Sequence, residues 1–167
     1  MGGVINVITK KVPEKWMGSV STGAVINQDS NHGNSTSTQF WFGGPIKNDV
    51  LGIQFSGKYD KRSEDDVYYA KSLDNGSAGS KNQRLSTKIT ARTASNQTVN
   101  LTITDEELDY TQTVGRSLPP SSTAVPTEEK HKHTQVSLDH EGKWDWGTTW
   151  LALSYENEKL DNSGFTN

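Results

Sequence analysis

The chain has 167 residues, of which 31% are hydrophobic and 22% are charged, and its formal net charge is -3. Average globular domains are about 45–50% apolar, so the apolar side chains are too few for a large two-layer soluble core. A disordered chain or a wide membrane β-barrel with a wet interior tolerates such a composition. The modest net charge and the five Trp and five Tyr residues weigh against disorder.

Several classes of protein are excluded by what the sequence lacks. No stretch approaches the ~18 apolar residues of a transmembrane helix, although a barrel strand needs only about 9–11. Without cysteine there is no disulfide framework, no Cys-based zinc site and no thiol nucleophile. The balanced charge, with no basic stripe, argues against nucleic-acid binding. No signal peptide is visible, so for an exported protein we expect the true N-terminus to lie upstream.

Runs of strand length with alternating polarity, separated by turn-forming residues, dominate the chain from end to end. The predicted strand segments are 4–9, 16–28, 35–44, 50–62, 84–92, 99–104, 134–138 and 151–155. In the segment 50–62, Leu51, Ile53 and Phe55 lie on one face. Gln54, Ser56 and Lys58 lie on the other. This alternation predicts a sheet with one apolar and one polar face.

The predicted connections differ in length in an ordered way. Short connections are predicted at 45–49, 94–97 and 141–147, long ones at 64–82 and 111–130, and a modest one at 29–34. Short turns on one side and long loops on the other are typical of an outer-membrane barrel. Trp16, Trp144 and Trp146 fall beside the short turns, where an aromatic girdle belongs.

Alternation alone does not separate a membrane barrel from a soluble protein, because half-buried antiparallel sheets alternate too. A soluble β-sandwich that binds glycans or proteins is therefore an open alternative. A lipolytic barrel enzyme is a third possibility, but it needs a convergent nucleophile and base, and none is visible in the sequence.

A sequence motif near the N-terminus is more specific. The ten residues GGVINVITKK contain a glycine pair, a β-branched run and a basic end, carried by Gly2, Gly3, Asn6, Lys10 and Lys11. They resemble the motif that ends the plug domain of TonB-dependent receptors. Further stretches resemble barrel strands and periplasmic turns of the same family, at 15–20, 42–46, 49–52, 61–66 and 142–148.

The resemblance covers nearly the whole chain and is strongest to catecholate siderophore receptors, including those of the colicin I receptor type. It implies an all-β antiparallel meander, the N-terminal part of a transmembrane β-barrel that has 22 strands in the full-length family. Residues 1–13 would end the plug domain, and residues 14–167 would form roughly the first seven barrel strands. Such a sheet has two open edges, which hydrocarbon does not tolerate, so we expect the chain alone neither to form a stable barrel nor to transport.

The resemblance also implies a function for the complete protein. It would bind a ferric siderophore at the surface of the outer membrane of a Gram-negative bacterium, surrounded by outer-membrane lipid. Energy would come from contact with the TonB protein through an N-terminal region, and colicins would be possible further partners. The resemblance implies no enzymatic activity, cofactor or catalytic residue.

Two arginines are candidate contacts for the siderophore. Arg62 and Arg116 are predicted near the outer ends of strands, in the region of Tyr68, Tyr69 and Tyr110. A ferric triscatecholate is negatively charged, so Arg with aromatic rings nearby would attract it. No family motif fixes these positions, and ordinary loop residues are the alternative.

Other candidate clusters favour plain structural interpretations. His131 and His133 have a spacing that can serve a metal, but a solvated strand end is the preferred interpretation. The runs Asp65–Asp66 and Asp105–Glu107 are interpreted as exposed loop charge, because neighbours on a strand point to opposite faces. Four basic residues are predicted on the lumen face, where they could pair with Asp60 and Glu106 or contact the plug: Lys58, Arg84, Lys88 and Arg92.

Overall fold

The computed structural model describes residues 14–66, 76–120 and 125–163, and the regular structure in these ranges is β-strand. The strands are β1 (Met17–Val25), β2 (Ser35–Lys47), β3 (Leu51–Arg62), β4 (Gly79–Ala94), β5 (Gln97–Gln112), β6 (Thr127–Trp144) and β7 (Gly147–Ser163). They form one antiparallel sheet in chain order, which confirms the predicted all-β meander. The described residues include no helix with the length and apolar character to cross a membrane. The plug-end motif lies outside the described residues.

Rows of apolar side chains run across one face of the sheet. The register aligns one row of six residues, Phe42, Phe55, Thr87, Ile103, Val136 and Tyr155. The next row contains Ile53, Ile89, Leu101, Leu138 and Leu153. Leu153 is 59% exposed and Tyr155 is 66% exposed, and Leu118 is the only buried hydrophobic residue among those described. The sandwich alternative needs a second sheet over this face, and the described residues form a single sheet.

The opposite face is polar, as the alternation predicts. It includes a concavity of about 480 Å³ whose lining contains Lys58, Arg84 and Lys88. Lys58 forms an ion pair with Asp60 at 2.6 Å, and Arg84 lies directly opposite Glu106 in the ladder. The Lys58–Asp60 pair lies along β3 itself, whereas Arg84 and Glu106 have the cross-strand placement that the predicted pairing requires.

The connections are sorted by length between the two ends of the sheet. Short turns at 48–50, 95–96 and 145–146 lie at one end, and the connections 26–34, 63–78 and 113–126 lie at the other. At the short-turn end, Trp16 stacks on Phe42 with ring centroids 5.0 Å apart, and Trp144 stacks on Trp146 at 6.3 Å. The predicted placement of these three tryptophans is thus confirmed.

Two of the predicted loops are shorter in the structure than the sequence predicts. β4 begins at Gly79 and β5 continues to Gln112, inside the ranges 64–82 and 111–130 that the sequence assigned to loops. β4 to β7 contain 16 to 18 residues each, more than the about 9–11 that cross hydrocarbon. The outer end of β6, residues 127–130, is polar on both faces, so alternation does not reveal the strand there.

Candidate functional site

Two adjacent acidic residues hold the long connections together at one end of the sheet. Glu64 and Asp65 lie just beyond the end of β3, after Ser63, and their carboxylates contact different neighbours. Asp65 contacts the β1–β2 connection and the far end of the β3–β4 connection, whereas Glu64 contacts the β5–β6 connection. Consecutive residues of an extended chain point to opposite sides, so one dipeptide reaches both groups.

Asp65 is only 3% exposed, so the interpretation of this residue as exposed loop charge was wrong. Its Oδ1 accepts hydrogen bonds from the Gly33 N–H at 2.8 Å and from Arg62 Nη2 at 2.5 Å. Its Oδ2 accepts one from the Ser77 N–H at 2.9 Å. Arg62 is a near neighbour in sequence, but Gly33 and Ser77 lie 32 and 12 residues away, so no local sequence pattern marks this residue as buried.

The protonation of Asp65 is biased by the same contacts. Burial acts to raise the pKa of the carboxyl, because it disfavours the charged form. The N–H groups of Gly33 and Ser77 and the Arg62 guanidinium outweigh burial and hold the pKa well below its usual range. Asp65 is therefore ionised at neutral pH, and its carboxylate joins the segments that contain Gly33, Arg62 and Ser77.

Glu64 anchors the connection between β5 and β6 in a similar way. Its Oε1 accepts hydrogen bonds from the Thr113 N–H and, at 2.5 Å, from the Ser117 hydroxyl. Burial acts to raise the pKa of Glu64, but the hydrogen bonds from Ser117 and Thr113 together have a larger effect in the opposite direction. The net shift of the pKa is therefore downward. Ser117 is fully buried, and its carbonyl oxygen accepts a hydrogen bond from the Gly76 N–H at 2.7 Å.

The anchored segment is a tight turn over residues 113–118. The Gly115 N–H donates to the Leu118 carbonyl at 2.9 Å, and the Leu118 N–H donates back to the Thr113 carbonyl at 3.2 Å. Gly115 has a φ of 82°, in the left-handed region that glycine occupies at little cost. Arg116 follows it at the tip of the turn, with an exposed side chain.

The two predicted siderophore contacts differ in their surroundings. Arg62 donates to Asp65 and to the carbonyl oxygens of Ser63, Ser77 and Ala78 at 2.9–3.3 Å, so its guanidinium is engaged inside the loops. The Arg116 guanidinium has no hydrogen bond or ion pair with any described residue. A siderophore contact by either arginine stays a prediction, and the geometry favours Arg116 as the available cation.

The remaining candidates are placed as follows. Tyr68 and Tyr69 lie outside the described residues, whereas Tyr110 is 37% exposed and meets His131 edge-on at 6.4 Å between ring centroids. His131 Nε2 lies 3.0 Å from Glu129 Oε1. Within the described ranges, no group of three or more His, Asp or Glu side chains is arranged to hold a metal ion.

Replacing Gly33 by Ala is expected to destabilise the loop end of the sheet by about 1–3 kcal/mol, the range typical of overpacking. A Cβ at Gly33 would lie 1.8 Å from the Ser63 carbonyl oxygen, so the backbone must move away from Asp65. Denaturant unfolding in detergent micelles, with the protein expressed from its complete gene, measures the change. Gly23→Ala is the control, because a Cβ there meets nothing within 4 Å. Equal losses in both variants would contradict the expectation.

Curated proteins related to the chain include a siderophore receptor and an outer-membrane protein. Probable TonB-dependent siderophore receptor PirA of Acinetobacter baumannii is 32% identical over 166 residues, covering 93% of this chain and 22% of that protein. The iron-regulated outer membrane virulence protein of Vibrio cholerae serotype O1 is 29% identical over 163 residues, covering 93% of this chain and 24% of that protein. No family model matches the chain.

Solved structures have the same fold. The crystal structure of the siderophore receptor PirA from Acinetobacter baumannii matches with a TM-score of 0.81 and 26% identity, over 91% of this chain and 23% of that chain. A mutant of the ferric enterobactin receptor PfeA from Pseudomonas aeruginosa, in complex with enterobactin, matches with a TM-score of 0.78. Its identity is 22%, over 95% of this chain and 25% of that chain, so this likeness concerns the fold alone.

The chain spans between 22% and 25% of the length of these relatives. The match nevertheless extends over more than nine-tenths of the chain itself. The resemblance stated from the motifs is therefore confirmed. The chain is homologous to one part of the TonB-dependent siderophore receptors, and its seven strands have the fold of the matching part of those structures.

Proposed function

We propose that the chain belongs to an outer-membrane receptor that takes up ferric siderophores. The observation that carries the proposal is the exposed apolar band of the sheet, which includes Leu138 and Leu153. The proteins that the chain resembles include siderophore receptors. In lipid this band meets acyl chains and the opposite polar face meets water or a plug. Residues 1–13 then end the plug domain, and residues 14–167 form the first part of the barrel.

The proposed ligand is a ferric catecholate, bound at the end of the sheet where the long connections gather. A receptor of the same fold has been solved in complex with enterobactin. A ferric triscatecholate is anionic, and Arg116 offers an exposed guanidinium at that end. TonB is the proposed energy-coupling partner, and colicins are proposed as further ligands. The relatives are receptors, and we propose no catalytic role.

The proposal is tested with the protein expressed from its complete gene in a Gram-negative host that lacks other catecholate receptors. We expect the protein in the outer-membrane fraction and uptake of radioactive iron from ferric enterobactin that depends on TonB. Recovery in the soluble fraction, or uptake equal to that of the empty host, would overturn the proposal. A soluble and monodisperse product would revive the alternative of a soluble binding module.

Arg116→Gln is expected to weaken ferric enterobactin binding by about tenfold. Loss of one charge-assisted contact costs about 1.5 kcal/mol, and about 1.4 kcal/mol is a factor of ten. Tryptophan fluorescence quenching by the ferric complex measures the dissociation constant. Lys61→Gln is the control, because it removes a charge at the same end of the sheet. Lys61 lies two residues after Tyr59 in β3 and therefore on the same, apolar face. Equal losses in both variants would indicate general electrostatics instead of a contact.

A further inference from the structure

We propose that Glu64 is a positioning residue that fixes the Arg116 turn for ligand binding. The inference rests on the proposed function, because it concerns how the proposed contact is presented. Glu64 and the turn 113–118 are about 50 residues apart in sequence, yet the Glu64 carboxylate is bonded to both sides of the turn.

The contacts of Glu64 bracket Arg116. A single oxygen, Oε1, accepts from the Thr113 N–H on one side of the arginine and from the Ser117 hydroxyl on the other. Ser117 is fully buried and is held in addition by the Gly76 N–H. The backbone is thereby fixed on both sides of Arg116, while the arginine side chain stays exposed.

A fixed turn increases affinity because a mobile loop loses conformational entropy when the ligand orders it, and this loss opposes association. An immobilised segment has already lost that conformational freedom, so more of the contact energy remains as affinity. Without Glu64, the Thr113 N–H and the Ser117 hydroxyl lose their shared acceptor. The turn then samples positions in which Arg116 does not meet the ligand.

The sign of the effect separates positioning from simple electrostatics. Glu64 is negative and lies close to a proposed anion site, so removing its charge should by itself strengthen the binding of an anion. Positioning predicts the opposite, a weaker affinity. Glu64→Gln keeps an oxygen acceptor and loses the charge, so it should retain most of the affinity that Glu64→Ala loses.

A double-mutant cycle with ferric enterobactin provides the test. Glu64→Ala is expected to weaken binding about fivefold to tenfold in the unsubstituted protein, and less than about twofold when Arg116→Gln is already present. Asp66→Ala is the matched control, because its carboxylate has no hydrogen bond or ion pair with a described residue. Tighter binding by Glu64→Ala, or the same loss in both backgrounds, would overturn the proposal.

Trypsin cleavage after Arg116 gives a readout that needs no ligand. The buried Ser117 protects this bond, so Glu64→Ala is expected to raise its cleavage rate about tenfold or more while cleavage after Lys143 stays constant. Faster cleavage at both sites would mean that Glu64→Ala unfolds the whole protein. In that case the same two cleavage rates are measured in Glu64→Gln instead. Unchanged cleavage after Arg116 overturns the positioning inference alone. Absent binding by the unsubstituted protein overturns the proposed function instead, and with it the role of Glu64 in binding.

Discussion

Replacing Leu153 by Arg is expected to lower the free energy of unfolding of the membrane-inserted protein by about 2–4 kcal/mol. Leu153 lies beside Leu138 in an apolar row, and it is 59% exposed. If the row faces acyl chains, the guanidinium must enter hydrocarbon, where no water solvates it. In a protein surrounded by water, a substitution at so exposed a site changes stability by only about 0.5 kcal/mol.

Urea unfolding in lipid vesicles, with the protein expressed from its complete gene, measures this change. Ser154→Arg is the matched control, since Ser154 lies next to Leu153 but on the polar face, opposite Ser137. We expect a change of less than about 1 kcal/mol for the control, because its side chain meets water. A small effect at Leu153, or equal effects at both positions, would contradict the assignment of the apolar face to lipid.

The alternation in the sequence was sufficient to predict the strands and their faces where hydrocarbon and water lie on opposite sides. Leu101, Leu138 and Leu153 fall into one row as the period of two requires, because a slip by one residue would turn each to the polar face. The ends of the strands were not predicted. In the stretch 127–130 both faces are polar, and only hydrogen bonding to neighbouring strands makes it part of β6.

The candidate site was predicted less well than the fold. Arg62 and Arg116 were equivalent in the sequence, since each is a basic residue near the outer end of a strand. Their difference arises from Asp65, which engages the Arg62 guanidinium, and from the turn 113–118, where the Arg116 guanidinium is exposed and forms no ion pair with a described acid. Asp65 is itself held by Gly33 and Ser77, and the turn is held by Glu64. These supporting contacts join segments that are distant along the chain, and a single sequence carries no signal for such pairs.

Asp65→Asn is expected to release the β1–β2 connection from the end of β3. The carboxylate accepts three hydrogen bonds, from Gly33, Ser77 and Arg62. An Asn side chain keeps one oxygen and turns an NH₂ group toward a donor, so at least one N–H loses its acceptor. An unsatisfied buried donor costs about 1–3 kcal/mol, which corresponds to about fivefold to 140-fold lower protection of the Gly33 and Ser77 amides in hydrogen exchange.

Acid should reproduce the effect of this substitution in the unsubstituted protein. Because the pKa of Asp65 is lower in the folded protein than in the unfolded chain, ionisation stabilises the fold. This stabilisation is complete above the ordinary carboxyl pKa of about 4 and is lost as the pH falls toward the lower folded value. The protection factors of Gly33 and Ser77 should therefore fall below about pH 4 in the unsubstituted protein and in Asp66→Asn. In Asp65→Asn these protection factors should be low already at neutral pH, and they should decline less on acidification. Equal protection factors in all three proteins would show that Asp65 does not hold the loops.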